Sequence, residues 1–385
     1  MLFCLFAGVP SIAVLQRLLT VLGPKLAIEG ATVWFIVASA IASVGLYWLL
    51  PHLFELASRC RRLPLWLAAY VGVLLIAFLL IYPLADSGQL GFNSDREEAI
   101  DVAVLQLVEG QNPYACRAVS GIHEGCPQAG NPISPLPGAF ILALPFVLLL
   151  GGSAIQNFFW LGAFYFASRR WFDSSEQAAL NLLTILILVP TVLAEILTGG
   201  DLLANTLAVS AALLLCLRAR STAQLLACGL VLGLALAWRV NFLLLAAPLI
   251  IYHLTHGQWR RPLLFGSAAG AAFLVVTVPL WWLDPAAFTP LHAGGKLGQF
   301  AHLLPHPNLW AVVLAAGVSG FVAWRATSEQ GLLLAVAWAL LIPPTLGIVL
   351  KSIAAGHLSF AVFGWYALSA TVPGLLSIQN GEQRK

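Results

Sequence analysis

Charge is what this sequence has least of. Asp, Glu, Lys and Arg supply 9% of its 385 residues, where a soluble domain carries about 25%. The apolar set AVILMFWYC supplies 60%, and mean hydropathy is +0.90. No globular core of this size hides so much apolar surface, because exposed area falls too slowly with chain length. A soluble enzyme, a disordered chain and a nucleic-acid binder are therefore excluded. The sequence reads as an all-α, polytopic transmembrane bundle. It also lacks internal repeats and low-complexity tracts, so residues 1–385 read as a single transmembrane domain. Residues 1–22 lack a charged leader and a clear small-residue cleavage site, so a retained helix is expected there rather than a signal peptide.

The few charges are sorted. Arg59, Arg61 and Arg62, then Arg169 and Arg170, Arg218 and Arg220, Arg260 and Arg261, Arg325, Arg384 and Lys385 fall in short gaps between apolar runs. Under the positive-inside rule those gaps are cytoplasmic. The segment 85–134 holds seven of the sixteen acids: Asp86, Asp95, Glu97, Glu98, Asp101, Glu109 and Glu124. It is expected to face away from the cytoplasm.

Apolar runs lie near 31–54, 64–84, 153–168, 179–197, 202–217, 222–238, 242–255, 263–283, 309–324, 331–350 and 358–377. They predict eleven or twelve spans, several short of the ~20 residues that a bilayer demands. The charge scheme closes only if run 135–150, with Pro135, Pro137 and Pro145, does not cross fully. It is read as a helix along the outer interface or one that dips in and out.

Two outer loops are long, 85–134 and 284–308, and loops of that length usually carry function. Cys116 and Cys126 share the first. An oxidising outer compartment lets them close it as a disulfide, the alternative being two free thiols. Asp95–Val108 fits an amphipathic interfacial helix ended by Gly110, with Ser94 or Asp95 as N-cap and Asn112-Pro113-Tyr114 as a turn. In the second loop Lys296, His302 and His306 suit phosphate or sugar hydroxyls. A metal is not expected, because prolines spoil the helical His302–His306 spacing and no third ligand is near. Trp281 and Trp282 read as an aromatic belt or as a sugar-stacking pair.

Arg239 interrupts an apolar run, which costs several kcal/mol unless it meets a wet cavity, a partner or the headgroups. Asn241 lies beside it, and Lys351 sits at another outer turn. Asp201, after Gly199-Gly200, is either a helix N-cap or a site acid.

Three strings, in order, resemble membrane glycosyltransferases of the GT-C fold. They come nearest to the polyprenyl-phosphate-mannose-dependent group that includes actinobacterial phosphatidylinositol-mannoside mannosyltransferases. The first is Asp95 followed, one helix later, by Gly110-Gln111-Asn112-Pro113-Tyr114, with Ser134-Pro135-Leu136-Pro137 opening the next run without the group's tyrosine. The second is Glu195 to Asn205 through Gly199-Gly200-Asp201. The third is Gly229-Leu230-Val231-Leu232-Gly233-Leu234-Ala235 before Trp238-Arg239, the arginine standing where the group has lysine.

The resemblance covers roughly 64–290. It implies an inverting hexosyltransferase, mannose being the group's sugar, at the outer face of the cytoplasmic membrane. A polyprenyl-phosphate sugar is the implied donor, a lipid or glycan the acceptor, and no cofactor or metal is needed. Asp95 is the implied general base. With it, Arg239, Asn241, Asp201 and Tyr114 become candidate substrate contacts, and Lys296, His302, His306 and Lys351, outside the resembling stretch, join them on their own chemistry. The alternatives are a transporter or flippase for a lipid-linked saccharide and a non-catalytic membrane subunit.

Overall fold

The computed structural model describes residues 8–22, 60–87, 89, 96–115, 133–290, 295–360 and 362–379. Among them every regular element is a helix. The chain runs through Val9–Leu22 (α1), Leu63–Asp86 (α2), Arg96–Val108 (α3) and a 3-10 turn at Pro113–Ala115. Then come Pro137–Leu150 (α4), Gln156–Phe172 (α5), Ser175–Leu188 (α6), Pro190–Leu197 (α7), Asp201–Arg218 (α8) and Thr222–Leu236 (α9). A 3-10 stretch, Val240–Leu245, runs into Ala246–Thr255 (α10), followed by Arg260–Leu283 (α11). The last elements are Gly295–Gly298 (α12), Pro307–Arg325 (α13), Glu329–Ala355 (α14), Phe363–Tyr366 (α15) and Leu368–Gln379 (α16).

Local chemistry sets the boundaries. Ser174, Ser221 and Ser328 cap α6, α9 and α14, each accepting a backbone N–H of the first turn, and Gln224 completes a capping box with Ser221. Pro stands in the first turn of α2, α4, α7 and α13, where its missing N–H is not needed. Pro190 also forces Val189 out of helical geometry, to φ −118 and ψ 89. The chain bends by 83° there. The run 179–197, expected as one span, is therefore two helices.

Five described helices are long and apolar enough to cross a membrane: α2, α8, α11, α13 and α14. The bent pair α6 and α7 brings the number to six if it is one span. Among the described residues the expected eleven or twelve is not reached. Runs 222–238, 242–255 and 358–377 are helical but short, and run 31–54 lies outside the described residues.

Burial orders the bundle. The α8 segment is 89% buried and packs against α5, α9 and α16, whereas α2 and α11 are 17% and 22% buried. Leu80, Val275 and Trp282 are exposed on those outer helices. Apolar faces of that extent with saturated backbone suit hydrocarbon and not water. Packing of α9 on α11 depends on Gly229 and Gly233: a Cβ at Gly233 would lie 2.2 Å from the Ala269 carbonyl oxygen, and one at Gly229 2.6 Å from that of Phe265. This small-xxx-small contact lets backbones touch, and it accounts for the glycines of the third resembling string without any catalytic role.

The two ends of the bundle differ. At one, Arg218 donates to the Trp171 carbonyl at 2.5 Å, and Arg261 donates to those of Leu217 and Ala219 at 3.0 Å. At the other, α4 is fastened twice. The Leu136 and Gly138 N–H groups donate to the Trp238 and Ala237 carbonyls at 2.9 and 2.7 Å. Past the far terminus of α4, the Ser153 N–H donates to Asp101 of α3 at 2.8 Å. Both termini of α4 thus sit at one end of the bundle. The same end holds α1, whose Gln16 accepts from the Phe360 N–H at 2.8 Å.

Candidate functional site

A charged cluster occupies the end of the bundle opposite the arginines. Its foundation is the turn between α7 and α8. Gly199 adopts φ +75, and a Cβ on Gly200 would lie 2.5 Å from the Glu195 carboxylate. That close approach lets Glu195 accept from the Leu202 N–H at 2.9 Å, so an acid of the preceding helix satisfies the first turn of α8. Asn157 of α5 pins the turn from behind, donating to the Gly200 carbonyl at 3.0 Å. Asp201 is consequently not an N-cap. Gly200 holds that position, and the Asp201 side chain turns to other partners.

Those partners are cations. Arg239, just after α9, grips Asp201 through Nη2 at 2.6 and 2.7 Å and through Nε at 3.2 Å. The Trp238 indole N–H adds a third donor group at 3.1 Å. Arg96, the first residue of α3, pairs with Glu195 at 2.5 Å and lies 3.9 Å from Asp201. Lys296 donates to the Tyr366 hydroxyl at 2.9 Å. Tyr366 also lies beneath the Arg239 guanidinium, and Trp365 beneath that of Arg96. Three cations therefore face two carboxylates. Glu195 and Asp201 are fully buried, Arg96 keeps 21% of its side chain exposed, and Lys296 is exposed. Arg96 and Lys296 are its solvent-facing cations.

The residues singled out from sequence divide. Arg239, Asp201 and Lys296 come together. Arg239 meets a protein partner rather than snorkelling, which is the physical solution to its burial at 8% exposure. Tyr114 does not join them. It is fully buried, donates to the Pro135 carbonyl at 2.8 Å and packs edge-on to Phe288, so it fastens the turn to the start of α4. Asn241 is half-buried and makes no side-chain hydrogen bond among the described residues. His302 and His306 are exposed, His302 bonding the Gln299 carbonyl and His306 standing at φ 52 before α13. Lys351 lies in α14 and makes no hydrogen bond or ion pair with the cluster. Asp95, Cys116 and Cys126 lie outside the described residues. Among those described, no three His, Cys, Asp or Glu side chains gather as a metal site.

Arg96 and Tyr366 had no role in the sequence reading, and Glu195 and Trp238 appeared only as parts of strings. Glu195 carried a usable signal, because a carboxylate within an apolar run requires a cation. Arg96 carried little, being followed directly by two acids.

Asp101 stands on the flank of the cluster, on α3. Burial pushes its carboxyl up to about 6, Asp86 and Glu98 add to the rise, and the Ser153 hydrogen bonds oppose it. No family model, no curated protein and no solved structure matches this chain.

Proposed function

We propose that this protein is an integral-membrane glycosyltransferase that moves a hexose from a polyprenyl-phosphate donor to a lipid or glycan acceptor. The observation that carries the reading is the convergence of Arg96, Arg239 and Lys296 at one end of an apolar bundle, at the helix start that directly follows Asp95 in the chain. Leaving phosphate gains charge in the transition state and needs fixed cations. Lys296 and the solvent-facing part of Arg96 suit that task. Arg239 has its fork occupied by Asp201 and acts on this account as a positioning residue.

The reaction is a single displacement with inversion. The acceptor oxygen bonds to the anomeric carbon, the bond from that carbon to the phosphate oxygen breaks, and the pair departs with the phosphate. Asp95 takes the hydroxyl proton. No metal or cofactor enters. By the positive-inside rule the arginine end faces the cytoplasm, so the cluster faces outward from the cytoplasmic membrane.

One observation favours a different reading. A pair of helices bent by 83° whose second member carries the buried Glu195 is also how transporters build substrate sites, which makes a carrier of lipid-linked saccharide the rival. Against it, the charges collect at the helix ends and not at mid-depth. Purified full-chain protein in detergent, given polyprenyl-phosphate hexose and membrane lipid extract, separates the two. The enzyme releases polyprenyl phosphate and forms a new glycosylated product. A carrier leaves the donor intact.

A further inference from the structure

Lys351 stands in the last two turns of α14, half-buried, and makes no hydrogen bond or ion pair among the described residues. It is off the outward stripe of that helix. Val349 and Ile353, 47% and 60% exposed, form the stripe, and at roughly 100° per residue Lys351 points well away from both. It shares its face with Ala354 and Ala355, three and four positions on.

Beside it opens a cleft of about 330 Å³. Lys351 and Gln299 are its polar groups, Phe300, Val362 and Phe363 its apolar walls, and the two alanines leave the room. From Pro285 to Gly381 the sequence has one acid, Glu329. That residue begins α14, about 33 Å from Lys351 along the helix. A half-buried ammonium without a counter-ion is costly unless an anion reaches it. The cleft lies at the end of the bundle, where a bilayer places its phosphates, and its apolar walls suit a ligand that is anionic at one point and oily beyond.

We propose that this cleft seats the phosphate head of an anionic membrane phospholipid. The Lys351 ammonium and the Gln299 amide N–H hold the phosphate oxygens, and the first carbons of the chains rest on Phe300, Val362 and Phe363. The site depends on the membrane-embedded helical fold and not on glycosyl transfer, so either can fail without the other.

Native mass spectrometry of the full chain, stripped of lipid and offered phosphatidylglycerol or phosphatidylcholine, provides the test. Phosphatidylglycerol should be retained about ten-fold better, because both lipids offer the phosphate but the choline of phosphatidylcholine brings a second cation beside Lys351. Lys351→Gln should erase the preference and Lys351→Arg should keep it. Ala355→Phe fills the cleft, retains the charge and should abolish retention, which carries the test if Lys351→Gln fails to fold. Arg325→Gln, at the opposite end, should change nothing. Equal retention of the two lipids overturns the proposal, as does a preference that survives both Lys351→Gln and Ala355→Phe. Release of the lipid by millimolar inorganic phosphate would overturn it too, showing a site for free phosphate.

Discussion

The Arg239 guanidinium clasps the Asp201 carboxylate at 2.6 and 2.7 Å with both groups buried, although 38 residues separate them in sequence. Each is the solution to the other's burial. Asp201→Asn or Arg239→Gln alone should cost about 3–5 kcal/mol by leaving a buried charge unmatched. The double variant should cost clearly less than the two losses added. Thermal unfolding in detergent across the four-protein cycle measures this, and strictly additive losses would show that the contact carries no coupling.

Helix packing makes a second prediction. Gly233→Ala places a methyl against the Ala269 backbone and must part α9 from α11, costing about 1–3 kcal/mol. Gly162→Ala, where a Cβ meets nothing within 4 Å, should be neutral or slightly stabilising. Equal melting temperatures for the two variants would remove the packing role assigned to the glycine pair.

Asp101 predicts a pH dependence. Its folded carboxyl titrates near 6, above the ordinary value of 3.8. Stability from the protonated form is complete below the unfolded value and is lost as pH rises through 6. Asp101→Asn keeps an acceptor for the Ser153 N–H while removing the charge. It should flatten the decline between pH 4 and 7 and raise the melting temperature at pH 7.5 by about 2 °C or more. A variant whose pH profile matches the wild type would contradict this.

The arrangement of the chain predicts labelling. In a background with Cys116 and Cys126 changed to Ser, Gln128→Cys should react with an impermeant maleimide from outside intact cells. Thr222→Cys, exposed at the arginine end, should react only after permeabilisation. Labelling of both from one side would reverse the outward placement of the cluster.

Much of the helical layout was legible because its signals are local. Serine caps, first-turn prolines and apolar runs mark α2, α6, α9, α11 and α14 without reference to the rest of the chain. Pro190 was visible too, but its consequence, an 83° bend, depends on what α7 packs against. The cluster was half legible. An arginine in an apolar run demands a partner, yet nothing in sequence says that the partner is Asp201 or that Glu195 takes Arg96. Such pairings are made by helices meeting from distant parts of the chain. The partner of Tyr114 was hidden for a related reason, since a turn tyrosine that faces a ligand and one that fastens its own loop look alike until the Pro135 carbonyl is seen to meet it.

The central claim is that Asp95, the residue before Arg96 in the chain, accepts a proton during sugar transfer, and sugar transfer by the Asp95→Asn variant tests it most directly. With purified protein, polyprenyl-phosphate hexose and acceptor lipid, turnover should fall by about 10² or more while donor binding stays near wild type. Asp101→Asn in the same assay should stay within a few-fold. Transfer that persists in Asp95→Asn, or that Asp101→Asn abolishes in its place, would contradict the account.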